Sequence, residues 1–288
     1  MATRNPQDDR FGGIPRLFRE NPMLLTLSII MFTNMMGFGM IVPVIPLYGR
    51  TFDVSSTMIG LLVTSFGFAR LISNIPAGRI ADRIGRRKLL IAGPVISASG
   101  AFLAFLANDY FVLMAGLATM GVGSATYATA AMTTLADIST DENRGRMMSM
   151  HQGSLLLGVS TGPAIGGFIG GSLGLNYVFL AAIVMYMAVM VLAFVRVVET
   201  LDTGGSPSSG RGSRRAVPGA GSLALLTNLS FLAVAYVSMT IFFSRTGGRS
   251  TIIPLRAAED LLFDPYMIGA LLTVGSVFNV LAIPFAGW

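Results

Sequence analysis

Three arginines lie inside long apolar stretches of the sequence, where a charged side chain needs a partner. Arg245 and Arg249 are four residues apart and share one helix face, and Arg70 lies in an earlier stretch. A charge at the centre of a spanning helix costs about 2.5–3.5 kcal/mol on the insertion scale. The three arginines and Asn34 are the candidate residues of a substrate cavity. Asn34 either lines that cavity or hydrogen-bonds a neighbour. The arginines either attract an anionic substrate or pair with groups elsewhere in the fold, and Arg249 can also snorkel to the headgroups.

The sequence contains few of the residues and motifs that enzymatic chemistry requires. There is no cysteine, the one histidine is His151, and all fourteen Asp and Glu residues lie in predicted loops or near span ends. Gly158 to Gly162 fits the G-x-S-x-G hydrolase pattern, but Ser160 lies within an apolar helix without local catalytic partners. No ATP-binding P-loop is present. We therefore expect no enzyme, no metal and no cofactor, and we expect His151 to be a packing or interface residue rather than a proton carrier.

Eight stretches are long and apolar enough to cross a bilayer. Hydrophobic residues make up 53% of the 288 positions and charged residues 12%, against about 25% charged in soluble domains. A spanning helix needs about 20 mostly apolar residues, and continuous apolar runs favour helices over a barrel of alternating strands. The predicted spans are Met23 to Pro46, Thr57 to Gly78, Leu89 to Ala107, Tyr110 to Ala136, Met147 to Gly170, Leu175 to Val195, Ser222 to Leu255 and Tyr266 to Trp288.

The basic residues predict the topology. If the N-terminus is cytoplasmic, three of the 20 Lys and Arg residues fall inside spans, two fall in outer loops (Arg50 and Arg256), and the remaining fifteen lie on the cytoplasmic side. Cytoplasmic loops retain Lys and Arg in this way. The net charge of +6 is therefore a topology signal and not a sign of nucleic-acid binding. We expect a multi-pass protein of the cell (plasma or inner) membrane.

The second part of the sequence repeats the first. Met58–Gly60 and Met267–Gly269 are both Met-Ile-Gly, and Ile45–Leu47 and Ile253–Leu255 are both Ile-Pro-Leu, at nearly the same offset. Such repeats are typical of transporter halves, and a complete second copy would give about twelve spans, so we expect a C-terminally truncated fragment. The predicted units are a cytoplasmic tail (1–22), a six-helix bundle (23–196), a Gly- and Ser-rich cytoplasmic linker (197–221) and the first two helices of a second bundle (222–288).

A short basic segment after the second span carries a family resemblance. Residues 78–88 read GRIADRIGRRK and resemble the loop 2-3 signature of the major facilitator superfamily, G-x-L-a-D-r-x-G-r-r-k. The resemblance implies that Asp82 pairs with basic groups and helix ends across the two halves and locks the outward-open state. A simpler interpretation is a basic loop that only fixes topology. The motif residues are Gly78, Asp82, Arg83, Gly85, Arg86 and Arg87.

The fifth span carries glycines every four residues, from Gly158 through Gly170 to Gly174. This spacing predicts a groove along one helix face. The segment resembles the antiporter motif G-x-x-x-G-P-x-x-G-G of the same superfamily, which is associated with proton-coupled exporters; a generic packing face is the alternative. One departure is that Leu117 and Met120 stand where many such exporters have Arg and Gln. The motif residues are Gly158, Gly162, Pro163, Gly166 and Gly167.

The resemblance implies an all-α, major facilitator-type helix bundle with about eight of twelve spans present. The expected function is secondary active transport by alternating access, with proton-coupled efflux of small amphipathic compounds and H⁺ as the coupling ion. Two alternatives stay open: an organic-anion transporter that uses the cavity arginines, and a transport-dead receptor or scaffold of the same fold. The expected partners are a small-molecule substrate and the lipid bilayer, with a monomer as the working unit of the full-length protein.

Overall fold

A computed structural model describes residues 21–199, 232–233, 236–237, 239–240, 244, 248 and 252–286. Arg245, Arg249, most of the linker and most of the predicted seventh span lie outside the described residues. The described part is helical and contains no strand. Its helices are α1 (Pro22–Ile41), α2 (Val44–Arg50), α3 (Ser56–Ile84), α4 (Arg86–Phe105), α5 (Tyr110–Ile138), α6 (Arg144–Ser172), α7 (Tyr177–Arg196), α8 (Ile253–Glu259) and α9 (Pro265–Ala286).

The predicted helical membrane fold is confirmed. Six segments in the described residues are long and apolar enough to cross a membrane, and they correspond to the first six predicted spans. The helix α8 overlaps the end of the predicted seventh span, and α9 corresponds to the eighth. The first span contains a break between α1 and α2, at Val42 and Pro43. Proline has no N–H to donate to the preceding turn, so it interrupts the helix at this point.

The second span is longer than the sequence predicts. The helix α3 continues past Gly78 to Ile84, because Ala77 and Ala81 on its last turns remain buried in the bundle. The basic motif therefore comprises the end of α3 and the start of α4 rather than a loop, and Gly85 is the one residue between the two helices. Its φ of +102° lies in the left-handed region that favours glycine. This residue reverses the chain between two antiparallel helices.

The first six spans pack as one bundle. The helix α1 packs on α6 and α7, α3 packs on α5, and α4 packs on α5 and α7, while α9 packs on α6. Large apolar side chains such as Phe68, Leu71 and Ile75 are exposed along α3. Such a surface is typical of a membrane helix that contacts lipid or another apolar helix.

Candidate functional site

Three glycines of α6 allow α1 to approach at backbone contact. A methyl group built on Gly162 would lie 2.6 Å from the Cα of Gly39, and one built on Gly166 would lie 2.8 Å from the Cα of Met40. A methyl group on Gly158 would lie 2.9 Å from the Cβ of Met35. Side chains larger than hydrogen do not fit at these distances, so the α1–α6 seam depends on glycine.

A neighbouring face of α6 contacts α9. A methyl group on Gly167 would lie 2.8 Å from the Cα of Gly269 and 2.6 Å from the carbonyl oxygen of Pro265. A methyl group built on Gly269 would in turn overlap the carbonyl oxygen of Pro163. The motif glycines therefore serve two faces: one joins α6 to α1, and the other joins it to the second copy of the repeat.

The predicted groove of five glycines does not extend to the C-terminal end of the series. The helix α6 ends at Ser172, and Gly174 lies beyond it with a φ of +116°. Gly174 therefore belongs to the turn into α7 and adds nothing to a helical stripe. Gly170 instead packs near Leu175 and Val178, where the chain folds back.

The second motif is built around Arg86, at the opposite end of the bundle. Its Nε lies 2.7 Å from Oδ2 of Asp137 at the end of α5, while a second nitrogen is 3.8 Å from Asp82. The Arg86 side chain is 14% exposed and that of Asp82 is 69% exposed. Arg86 thus joins the start of α4 to the end of α5. Within the described residues the ion pair of Asp82 is with Arg86, so the expected pairing of Asp82 across the halves stays a prediction.

Two residues cap each other's helices beside this cluster. The Glu199 carboxylate accepts hydrogen bonds from the backbone N–H groups of Arg86 (3.0 Å) and Arg87 (3.3 Å), the first residues of α4. The Arg87 guanidinium donates to the Phe194 carbonyl in the last turn of α7 (2.9 Å) and lies 5.7 Å from the ring centroid of the same residue. An anion at a helix start and a cation at a helix end each stabilise their helix. Any side chain on Gly85 would overlap the Glu199 carboxylate.

Sequence reasoning missed Asp137 and Glu199 as partners of the motif. Both residues are acidic and lie at the cytoplasmic ends of predicted spans, among the basic residues. That shared side is the signal that could have found them. Arg83 is exposed and Gly78 lies in ordinary contact with Thr129 of α5.

The candidate cavity residues that the structure describes lie at one depth. Phe38 of α1 and Phe66 of α3 stack with ring centroids 4.7 Å apart. Asn34 precedes Phe38 by one helical turn and Arg70 follows Phe66 by one turn, so each lies on the helix face of its ring. Both are therefore one turn from the stack, toward the predicted cytoplasmic side. Asn34 is 2% exposed, and its Nδ2 has no hydrogen-bond partner within the described chain. Arg70 is half-buried. In the described ranges, no three His, Asp or Glu side chains converge as metal ligands would.

Comparisons with known proteins agree with this architecture. Multidrug resistance protein 2 of Bacillus subtilis is 26% identical over 263 residues, which are 88% of this chain and 64% of that protein. The quinolone resistance protein NorA of Staphylococcus aureus is 22% identical over 265 residues, or 91% of this chain and 65% of NorA. The chain therefore spans somewhat less than two thirds of the length of these two relatives.

The fold also matches solved structures. The human organic anion transporter MFSD10 superposes with a TM-score of 0.64 at 15% identity, over 89% of this chain and 70% of that one. A bacterial homologue of the human lysosomal transporter Spinster, in an inward-facing and unoccupied conformation, gives a TM-score of 0.56 at 18% identity, over 70% of this chain and 47% of that one. The sequence model of the Major Facilitator Superfamily matches residues 27–288. A helical bundle with both signature motifs and this match identifies the chain as a member of the Major Facilitator Superfamily, a family of membrane transporters.

Proposed function

We propose that this protein exports small amphipathic compounds across the cell membrane in exchange for protons, by alternating access. The matching relatives that are named for multidrug and quinolone resistance support the efflux direction. The antiporter-type motif at Gly158–Gly167 supports exchange over facilitated diffusion. In this proposal the N-terminus is cytoplasmic, because that orientation leaves most Lys and Arg residues on the cytoplasmic side.

The two-sided contact of α6 carries the proposal. Under this topology, α6 begins at the cytoplasmic side, so its contact with α9 near Gly167 lies toward the outer side. The outer side opens only if α6 and α9 separate there, while the α1–α6 seam holds the first bundle together. A backbone contact between two small residues has no interlocking side chains, so it can be made and broken at low cost. The contact thus has the properties of an outer gate.

The cluster around Arg86 is the matching element at the inner side. It joins α4, α5 and the segment after α7. The exposed Asp82 carboxylate is available there to a cation or a helix N-terminus of the second half. Such a pair forms when the inner ends approach and breaks when they part, which gives the cycle a second two-state element.

An organic anion is the second candidate substrate. Arg70 lies at mid-depth in α3, and every Asp and Glu in the sequence lies in a loop or near a span end. A half-buried cation without a nearby carboxylate is stabilised by a negatively charged ligand. The fold likeness to an organic anion transporter is in keeping with this reading.

The test is transport by the full-length protein in proteoliposomes. A cationic amphipathic dye and an aromatic carboxylate are compared, each with an imposed pH gradient and after its collapse by an ionophore. The proposal predicts accumulation of the dye that disappears with the gradient. Equal transport with and without the gradient contradicts proton exchange. Carboxylate transport that Arg70→Ala abolishes, while dye transport persists, identifies the organic-anion route.

A further inference from the structure

His151 is buried without any of the hydrogen bonds that its ring requires. It lies on α6 and is 1% exposed, and within the described chain neither Nδ1 nor Nε2 has a hydrogen-bond partner. A neutral imidazole carries one donor and one acceptor, and both lose their water on burial. The sequence favours a packing role for His151, but leucine or methionine would pack here without that desolvation cost. The burial of two unsatisfied nitrogens indicates a role that needs an imidazole.

A second buried polar group without a hydrogen bond lies on α1, the helix that packs on α6. Ser28 is 4% exposed, and its Oγ has no hydrogen-bond partner in the same described region. Along the α1–α6 seam, contacting residues differ by 123 or 126 in sequence: Gly158 meets Met35 and Gly162 meets Gly39 at 123, while Gly166 meets Met40 at 126. Ser28 and His151 also differ by 123, and each lies two turns before the Gly158–Met35 contact, on the same helix face. This register brings the two residues to the same level of the seam, and they are not hydrogen-bonded to each other in this structure.

No other group on these helices titrates as an imidazole does. The helix α1 has no Asp, Glu, Lys, Arg or Tyr. Besides His151, the titratable and charged groups on α6 and on the helices that pack on it are Tyr48 and Arg50 of α2, Tyr110, Tyr127 and Asp137 of α5, Tyr177, Tyr186 and Arg196 of α7, Tyr266 of α9, and Arg144 and Arg146 of α6. Asp137 is engaged by Arg86 at the helix end. Only histidine ordinarily changes charge between pH 5 and 8.

Water can approach His151 from the neighbouring face of α6. A cleft of about 460 Å³ lies between the inner halves of α5 and α6. Its lining includes Ser149 and Gln152, and Gln152 is the next residue along the helix. The lining is mostly apolar, with Met132, Met148 and Leu156, but the cleft is open and has room for several water molecules beside Ser149 and Gln152. A small rotation of α6 about its own axis would bring the His151 ring to this water.

We propose that His151 and Ser28 form the site at which the transported proton binds. The proton comes from water and binds the free imidazole nitrogen; the other ring N–H donates to Ser28 Oγ, and the proton later returns to water on the other side. The neutral ring is compatible with the dry seam, whereas the imidazolium requires hydration and favours an opened inner end. Protonation would thus bias one of two arrangements of α1 and α6. This inference rests on the proton exchange proposed above.

The test uses the full-length protein and the variant His151→Gln, which keeps a donor and an acceptor but does not titrate. Dye accumulation driven by a pH gradient is expected to fall about tenfold, within the usual range of coupling between two sites. Ser28→Ala is expected to shift the pH midpoint of gradient-driven transport, while Ser172→Ala, at the far end of α6, leaves that midpoint unchanged.

Three results would overturn the inference. If His151→Gln accumulates dye with the wild-type pH profile, the proton site lies elsewhere although the exchange proposal survives. If the wild type itself ignores the gradient, exchange fails and the site fails with it. If His151→Gln does not insert, the ring of His151 is followed by ¹⁵N NMR in the wild-type protein. A midpoint that substrate shifts supports the site, and a ring that does not titrate between about pH 5 and 9 rejects it.

Discussion

Replacing Gly162 with alanine tests whether the α1–α6 seam is a true backbone contact. The added methyl group would lie 2.6 Å from both the Cα and the carbonyl carbon of Gly39 and 2.7 Å from the carbonyl oxygen of Met36. All three atoms belong to the backbone, so no rotamer change relieves the overlap. Ordinary contact begins at 3.4 Å, and the two helices must therefore separate by about 0.8 Å at this point.

The magnitude follows from two opposing terms. Overpacking of this kind costs about 1–3 kcal/mol, and the replacement of glycine by alanine within a helix returns about 0.5–1 kcal/mol. At the middle of both ranges the net loss is about 1.2 kcal/mol, which corresponds to a fall of about 2–5 °C in the unfolding midpoint. The assay is thermal unfolding in detergent, followed by intrinsic fluorescence or by aggregation.

Gly67→Ala is the matched control, because a methyl group built on Gly67 in α3 meets no atom within 4 Å. This variant is expected to unfold at the wild-type temperature or slightly above it. If Gly162→Ala and Gly67→Ala unfold at the same temperature, α1 and α6 are not in backbone contact. The interpretation of the motif glycines as spacing residues would then be wrong.

Three further changes test the polar ends of the helices. Glu199→Ala removes the acceptor at the start of α4 and is expected to lower the stability by about 1 kcal/mol. The loss would appear as a lower unfolding midpoint, and an unchanged midpoint argues against the cap. Arg86→Ala leaves Asp137 without its guanidinium and is expected to cost about 1–2 kcal/mol; Arg83→Ala, an exposed arginine of the same motif, serves as the control and should cost less than about 0.5 kcal/mol. Asp109→Ala removes the side chain that accepts from the N–H groups of Phe111 (2.8 Å) and Val112 (3.0 Å). We expect the stability to fall by about 1 kcal/mol and the amide hydrogens at the start of α5 to exchange faster.

The sequence predicts the membrane elements well because their signals are local. Tyr110 is both the predicted and the observed first residue of its span, since Asp109 caps that helix from within four residues. The break before Val44 was not predicted, and neither was the continuation of α3 to Ile84. Both depend on packing. A proline interrupts a helix only where neighbouring groups do not compensate for the lost backbone hydrogen bond, and Ala81 stays helical because it is buried against the bundle.

The site is less predictable for the same physical reason. The four-residue spacing of the α6 glycines predicts one groove, whereas Gly167 faces α9 and the inner glycines face α1. Which helix fills a groove depends on the arrangement of the whole bundle, and spacing along one helix does not encode it. The partners of the basic motif, Asp137 and Glu199, are likewise about 50 and 113 residues from Arg86 in sequence. Only the folded chain brings them together.

The outer contact between α6 and α9 can be tested directly, because the chain has no cysteine of its own. A Cβ built on Gly171 lies 3.5 Å from the Cβ of Tyr266, within the range that a disulfide bridges. The double variant Gly171→Cys and Tyr266→Cys in the full-length protein should therefore cross-link on oxidation, and each single variant should not. If transport requires these helices to part, oxidation stops dye transport in proteoliposomes and a reductant restores it. Transport at the wild-type rate by the fully cross-linked protein would contradict an outer gate at this contact.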